Sequence, residues 1–326
     1  MALANRLTEY LQIEHPVLLA PMAQISGGRL AAAVTRAGGL GLIGGGYGDA
    51  EWLQREYDLA GDARVGCGFI TWSLARQPDV LDIALQRRPA AIMLSFGDPA
   101  GFAERIHEAG VPLICQAQTL AQARRALEVR ADIVVAQGSE AGGRGMTARS
   151  TITLVPEVVD LVTEWSPDTL VLAAGGVGDG RGMAAALALG ADGVLVGTRF
   201  WASPEALVSP KAHERAVRAS GNDTVRTRVY DVVRQLDWPT EFNERALINA
   251  FVETWHGNEA ELSAHLPEAV ESFHKAVAAE DFDVANILVG EAVGLVRGVR
   301  PAGEVLTEIV ADAGRILHRT TPDDHS

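Results

Sequence analysis

The chain has 326 residues, 48% hydrophobic and 21% charged, with a formal net charge of −14. That length suits one large α/β domain or two smaller ones and can bury a substantial core. The acidic balance excludes a surface for nucleic acid or anionic membrane, which needs clustered Lys and Arg, but not a local basic site for a small anion.

The N-terminus "MALANRLTEYLQIEHPVLLAP" lacks a basic segment followed by a long apolar one, and no uncharged run reaches bilayer length. A soluble cytoplasmic protein is expected. Eight runs rich in Val, Ile and Leu then follow, each closed by glycine or a polar turn. They are "HPVLLAPM" (15–22), "GLGLIGGG" (39–46), "RVGCGFI" (64–70), "AAIMLSFG" (90–97), "VPLICQAQ" (111–118), "ADIVVAQG" (131–138), "LVLAAGGV" (170–177) and "ADGVLVGT" (191–198). Continuous rather than alternating apolar character marks parallel strands buried on both faces. Helical segments such as "LAQARRALEVR" (120–130) and "GRGMAAALALG" (180–190) separate them. Eight such alternations close most simply as a (β/α)8 TIM barrel, with an open doubly wound sheet as the other solution. Cys67 and Cys115 lie inside apolar runs and read as reduced core thiols, not a disulfide or metal pair.

Residues 199–326 exceed one closing helix. The stretch from about 203 to 283 reads as a helical domain inserted after strand eight, with "RALINAFVETWH" at helical spacing. The division expected is a barrel over 1–202 plus about 284–318, a lid over about 203–283, and a disordered tail over 319–326.

In such barrels the active site lies at the C-terminal ends of the strands, and the loops after strands seven and eight often hold a phosphate. "AAGGVGDGRG" (173–182) and Gly197-Thr198 stand at those ends. Glycine lets backbone N–H groups approach an anion, a helix starting near Gly180 would add its positive end, and Thr198 offers a hydroxyl. The same glycines also suit plain tight turns. Met22, Gln116 and Gln137 end strands one, five and six, where each either faces a planar heterocycle or serves packing and capping.

The stretches "APMAQISGG", "IMLSFGDP", "AQGSEAGGRG", "AAGGVGDGRGMAAALALGADGVLVGTRF" and "SPEA" resemble the nitronate monooxygenase family, whose pattern is shared by FMN-dependent enoyl-acyl-carrier-protein reductases. The likeness covers residues 14 to about 205 and, more weakly, "VGEAVGLV". It implies a TIM barrel holding one FMN non-covalently beneath a smaller helical domain. Carried over by position, it implies flavin contacts at Ala20, Pro21, Met22, Gly68, Gln116, Gln137, Gly142 and Gly143. The phosphate would lie at Gly175, Gly176, Gly197 and Thr198.

Two positions depart from the family pattern. Gly68 stands where an Asn is common, and Arg144 stands where the family's catalytic His follows paired glycines. Arginine stays protonated, so it is no general base. It either holds an anion such as a nitronate or pairs with Glu140 or another loop carboxylate. As an anion anchor it would favour preformed nitronates over neutral nitroalkanes. His213, His256, His265 and His274 lie in the inserted stretch, where one reaching over the site is the alternative base. Trp72 either walls the flavin or packs under the lid. The implied activity is FMN-dependent oxidation of alkyl nitronates with O2. The alternatives are an NAD(P)H-dependent FMN reductase of quinones or enoyl thioesters, and a non-catalytic or flavin-free barrel for a phosphorylated ligand. The expected partners are a small-molecule substrate with O2 or NAD(P)H; neither nucleic acid nor a membrane is expected, and a homodimer is left open.

Overall fold

The structure, a computed structural model, describes residues 3–319. The expected tail falls, from position 320 on, outside the described residues. The strands are β1 (Val17–Leu19), β2 (Leu42–Gly46), β3 (Gly66–Ile70), β4 (Ile92–Ser95), β5 (Leu113–Ala117), β6 (Ile133–Gln137), β7 (Gly143–Gly145), β8 (Leu170–Ala174), β9 (Gly193–Val196), β10 (Thr224–Thr227) and β11 (Asn243–Leu247). Eight of them form one parallel sheet in the order β1-β9-β8-β6-β5-β4-β3-β2, and a Leu18–Leu40 bridge joins its two edges. The barrel is therefore closed, and the open sheet is excluded.

Side chains alternate across the barrel wall. In β6 and β8, Ile133, Val135, Leu170, Leu172 and Ala174 pack inside, whereas Val134, Ala136, Val171 and Ala173 face the helices. Both faces are apolar, which is why the sequence reads as unbroken hydrophobic runs. Leu7 and Leu11, from the helix Arg6–Leu11, join the interior cluster. The period-two alternation also decides the site, because it turns Gln116 and Gln137 inward at the upper ends of β5 and β6.

The final helix, Ala302–Arg319, lies against Gly180–Ala188 so closely that a Cβ on Gly180 would sit 2.3 Å from Asp312 Cβ. The stretch expected to be a helical insertion contains five helices between Pro210 and Ala279, with Val229, Tyr230, Phe251 and Phe273 in a cluster of their own. It also contains β10 and β11, which pair antiparallel with β7 in the order β10-β11-β7. "TVRT" is β-branched but short and holds one apolar residue, and "NERAL" has no β-branched residue, so neither shows the longer apolar patterning that marks strands. Their ladder is made by backbone groups, and its third strand comes from the loop after β6. Among the described residues no helix is long and apolar enough to cross a membrane.

Candidate active site

A cleft of about 1300 Å³, counted with its open mouth, lies at the C-terminal ends of the barrel strands. Every site residue selected from sequence lines it: Ala20, Pro21 and Met22 after β1, Gly68 in β3, Gln116 in β5, Gln137 in β6, Gly142 just before β7, and Gly143 and Arg144 in β7. Gly175 and Gly176 after β8, and Gly197 and Thr198 after β9, complete the set.

Gly175 and Gly176 have φ of +98° and +75°, a region that disfavours side chains. Among the described residues, the N–H groups of Gly176, Val177 and Gly197 make no hydrogen bond. The Gln116 side-chain amide nitrogen is likewise buried and unpartnered. Val177 N–H and Gln116 Nε2 are buried, where donors are rarely left unpaired, and the N–H groups of Gly176 and Gly197 open to the cleft beside them, so together they call for an acceptor. Thr198 Oγ1 accepts from Gly290 N–H at 2.9 Å, which leaves its own proton free to donate. The helix at Gly180 does not offer an open positive end as expected. Asp179 caps it, accepting from Arg181 N and Gly182 N at 2.9 and 3.3 Å. Its carboxylate already neutralises that terminus.

Gly68 has a steric reason. A Cβ there would lie 2.3 Å from Pro21 Cγ, so Pro21 occupies the space that a side chain on β3 would need. The loop after β6 is clasped from two sides. Glu140 O accepts from Glu291 N, while Arg226 and Arg245 of β10 and β11 both donate to Ser139 O. Burial and the Arg245 charge lower the Arg226 pKa to about 10.

Arg144 pairs with neither Glu140 nor any other carboxylate of its own loop. Glu140 instead accepts from Thr151 N and Thr151 Oγ1. The Arg144 guanidinium meets Asp231 and, at 3.1 Å, Glu244 Oε2, both from the inserted stretch. Arg144 and Glu244 stand opposite one another in the β7–β11 ladder. Arg234 lies 3.9 Å from the same glutamate oxygen. Proximity and charge, not aligned hydrogen bonds, hold this cluster: neither Nη atom of Arg144 nor any Asp231 or Glu244 carboxylate oxygen has a hydrogen-bond partner. Burial opposes the Arg144 charge, but Glu244 and Asp231 outweigh it and hold the pKa above the usual arginine value. Burial likewise raises the Glu244 pKa, against the pull of Arg144 and Arg234.

Sequence reasoning missed Tyr47, Phe96, Arg234 and Glu244, which also line the cleft. Trp72 does not line it; it stacks edge-on behind Tyr47 and Trp238. No histidine among the described residues lines the cleft, so none of the four inserted ones reaches over it. His213, for one, is buried against Trp201 O at 2.9 Å. "YDVVRQL" and "FNERAL" carry Asp231, Arg234 and Glu244 without any spacing that marks a site.

The family model for nitronate monooxygenase matches residues 4–60 and 71–312, and the gap between them contains β3 with Gly68. A nitronate monooxygenase of Neurospora crassa is 33% identical, the match covering 92% of this chain and 89% of that protein. The nitronate monooxygenase npaC of Metarhizium robertsii is 35% identical over 92% of this chain and 91% of its own. Among solved structures, FabK from Thermotoga maritima superposes with a TM-score of 0.83 at 31% identity, covering 97% of this chain and 98% of that one. A nitroalkane oxidase from Streptomyces ansochromogenes superposes at 0.78 with 25% identity, covering 97% and 100%.

Proposed function

Because the chain belongs to the nitronate monooxygenase family, we propose that it binds FMN in the barrel cleft and oxidises alkyl nitronates with O2. The observation that carries this reading is the set of unpaired donors at the strand ends. The N–H groups of Gly176, Val177 and Gly197, with the Thr198 hydroxyl, suit a terminal phosphate, and Gln116 suits the polar edge of a flavin ring. Ala20, Pro21 and Met22 supply an apolar shelf beside them. When bound, the flavin supplies the redox chemistry, passing electrons from substrate to O2.

The chain's own residues bind and orient. Arg144 offers N–H donors to an anionic substrate, and the Asp231–Glu244 pair fixes where they point. Phe96 and Tyr47 close the wall against water. With no histidine in the cleft and arginine in its place, nothing here parallels the family's base, so preformed nitronates are the favoured substrate over neutral nitroalkanes. Residues 203–283 act as the cover of the site in this reading, contributing Arg234 and Glu244 to its wall.

The FabK likeness favours a second reading, an NAD(P)H-dependent reductase working through the same cleft. Anaerobic mixing of the yellow protein with a preformed nitronate, NADH and NADPH in separate cuvettes decides between them. Bleaching by nitronate is the expected result. Bleaching by reduced nicotinamide alone selects the reductase, and a colourless protein that takes up no FMN overturns both.

A further inference from the structure

The inserted stretch places Trp238, 3% exposed, between two groups of the cleft wall. The face of its indole carries the Arg144 guanidinium, whose Cζ lies 4.3 Å from the ring centroid. The edge of the same indole donates Nε1–H to Tyr47 Oη at 3.0 Å. Tyr47 comes from the loop after β2, and its backbone carbonyl is held by Ser73 Oγ at 2.9 Å and Gln77 Nε2 at 3.2 Å. Arg144 is held through its own carbonyl, which accepts from Gln137 Nε2 at 2.9 Å.

Because the Tyr47 oxygen is the acceptor for Trp238, its phenolic proton remains to be donated, and no acceptor for it is found among the described residues. Arg144 Nη1 is buried without a hydrogen-bond partner. Both residues line the cleft, and both are fixed by one indole. Two unsatisfied donors, one a rigid N–H and one a hydroxyl, thus belong to cleft-lining residues that touch the same indole.

We propose that Tyr47 and Arg144 form a two-point anchor for a flat group bearing two oxygens, the nitronate of the reading above, and that Trp238 is the positioning residue that aligns both donors. The inference rests on that reading for the reaction, but the recognition chemistry is that of any planar two-oxygen anion. Directed donors do this work rather than net charge. Asp231 and Glu244 offset the formal charges of Arg144 and Arg234 within the wall, and the more exposed Arg228 lies 4.0 Å from Asp231. The cation–π contact keeps the guanidinium plane from turning, so fewer rotamers are lost on binding.

Two substitutions test this, Tyr47→Phe and Trp238→Phe, each retaining an aromatic ring while deleting one polar hydrogen. Flavin occupancy measured on each variant separates loss of the anchor from loss of the cofactor. Tyr47→Phe is expected to lower kcat/KM for a nitronate roughly ten- to hundredfold, the range for a hydrogen bond to a charged group. Trp238→Phe should cost less. The double variant should be no worse than Tyr47→Phe alone, because phenylalanine keeps an aromatic face for Arg144 and deletes only the N–H that acts through that hydroxyl. Unchanged kcat/KM in Tyr47→Phe overturns the anchor, and additive losses overturn the role given to Trp238. Binding of an alkyl carboxylate of matching length, followed by flavin absorbance, gives a readout independent of turnover. It should be competitive with nitronate in the wild type and weakened by Tyr47→Phe. If the wild type binds the carboxylate in this way but oxidises no nitronate, the proposed reaction falls while the anchor stands. If it binds no carboxylate, the anchor falls.

Discussion

At the scale of single residues, Gly176 and Arg144 carry the sharpest consequences. Gly176, in the cleft lining, combines a φ of +75° with an N–H that makes no hydrogen bond. A β-branched side chain there is strained by that φ, although its Cβ would make only ordinary contact, 3.7 Å, with Glu140 Cβ. Gly176→Val should therefore lower the flavin-to-protein absorbance ratio while far-ultraviolet circular dichroism stays that of a folded barrel; full flavin retention would place the phosphate elsewhere. Arg144→Ala strips the main cation from two buried carboxylates. With only Arg234 at 3.9 Å from Glu244 and Arg228 at 4.0 Å from Asp231 left to offset them, the loss should approach that of a broken buried pair, about 3–5 kcal/mol, read as a lower urea midpoint. The same change should weaken nitronate use by about 1.5–3 kcal/mol in kcat/KM. Glu244 gives a pH signature. Its pKa is raised in the folded state, so folding is favoured at pH below the ordinary glutamate range and that contribution is lost as pH rises through the raised value. Arg144 and Arg234 limit the shift and Asp231 adds to it. Glu244→Gln should flatten this decline when unfolding is followed across acid to neutral pH, and an unaltered slope would refute the assignment.

At the scale of elements, the site depends on loops that belong to different parts of the chain. The loop after β6 lies against the segment at Val289 and Gly290 so tightly that a Cβ on Gly142 would fall 2.3 Å from Gly290 N. Thr198, at the end of β9, ties the same segment down by accepting from Gly290 N–H. Thr198→Val keeps the shape but leaves that N–H without its acceptor, at a cost of about 1–3 kcal/mol. The expected result is a lower thermal midpoint together with weaker flavin retention. A loss of stability with unchanged flavin affinity would show that the clasp is structural only. The antiparallel trio β10-β11-β7 works in the same sense, because it carries Glu244 to a position opposite Arg144.

At the scale of the whole molecule, the barrel is a closed two-sided core. Cys67 is fully buried and Cys115 is 3% exposed, each pushed up to a pKa of about 12, chiefly by burial. Neither thiol forms thiolate near neutral pH, and neither can be reached without opening the wall between barrel and helices. Both are expected to resist an aromatic disulfide reagent in the native protein and to react together on unfolding in denaturant. Prompt modification of either one in buffer would mean that its strand opens locally.

What the sequence by itself determined was local. Each barrel strand is covered on both faces, so burial wrote eight unbroken apolar runs, and the turns after β8 and β9 wrote glycines, two of them, Gly175 and Gly176, at positive φ. Those two signals singled out Gly175, Gly176 and Gly197, while Gly68 and Gly142 followed only from the family resemblance; all five line one cleft. Gln116 and Gln137 stood out as polar ends of apolar runs, and the alternation along β5 and β6 seen in the structure turns them into the same cleft. Only the tertiary structure decided the substrate end. Tyr47 and Trp238 are 191 positions apart, and Arg144 meets Asp231 and Glu244 through a ladder that no apolar pattern marks. Polar side chains that pair across such distances leave no periodic trace, because what selects them is a partner brought near by folding.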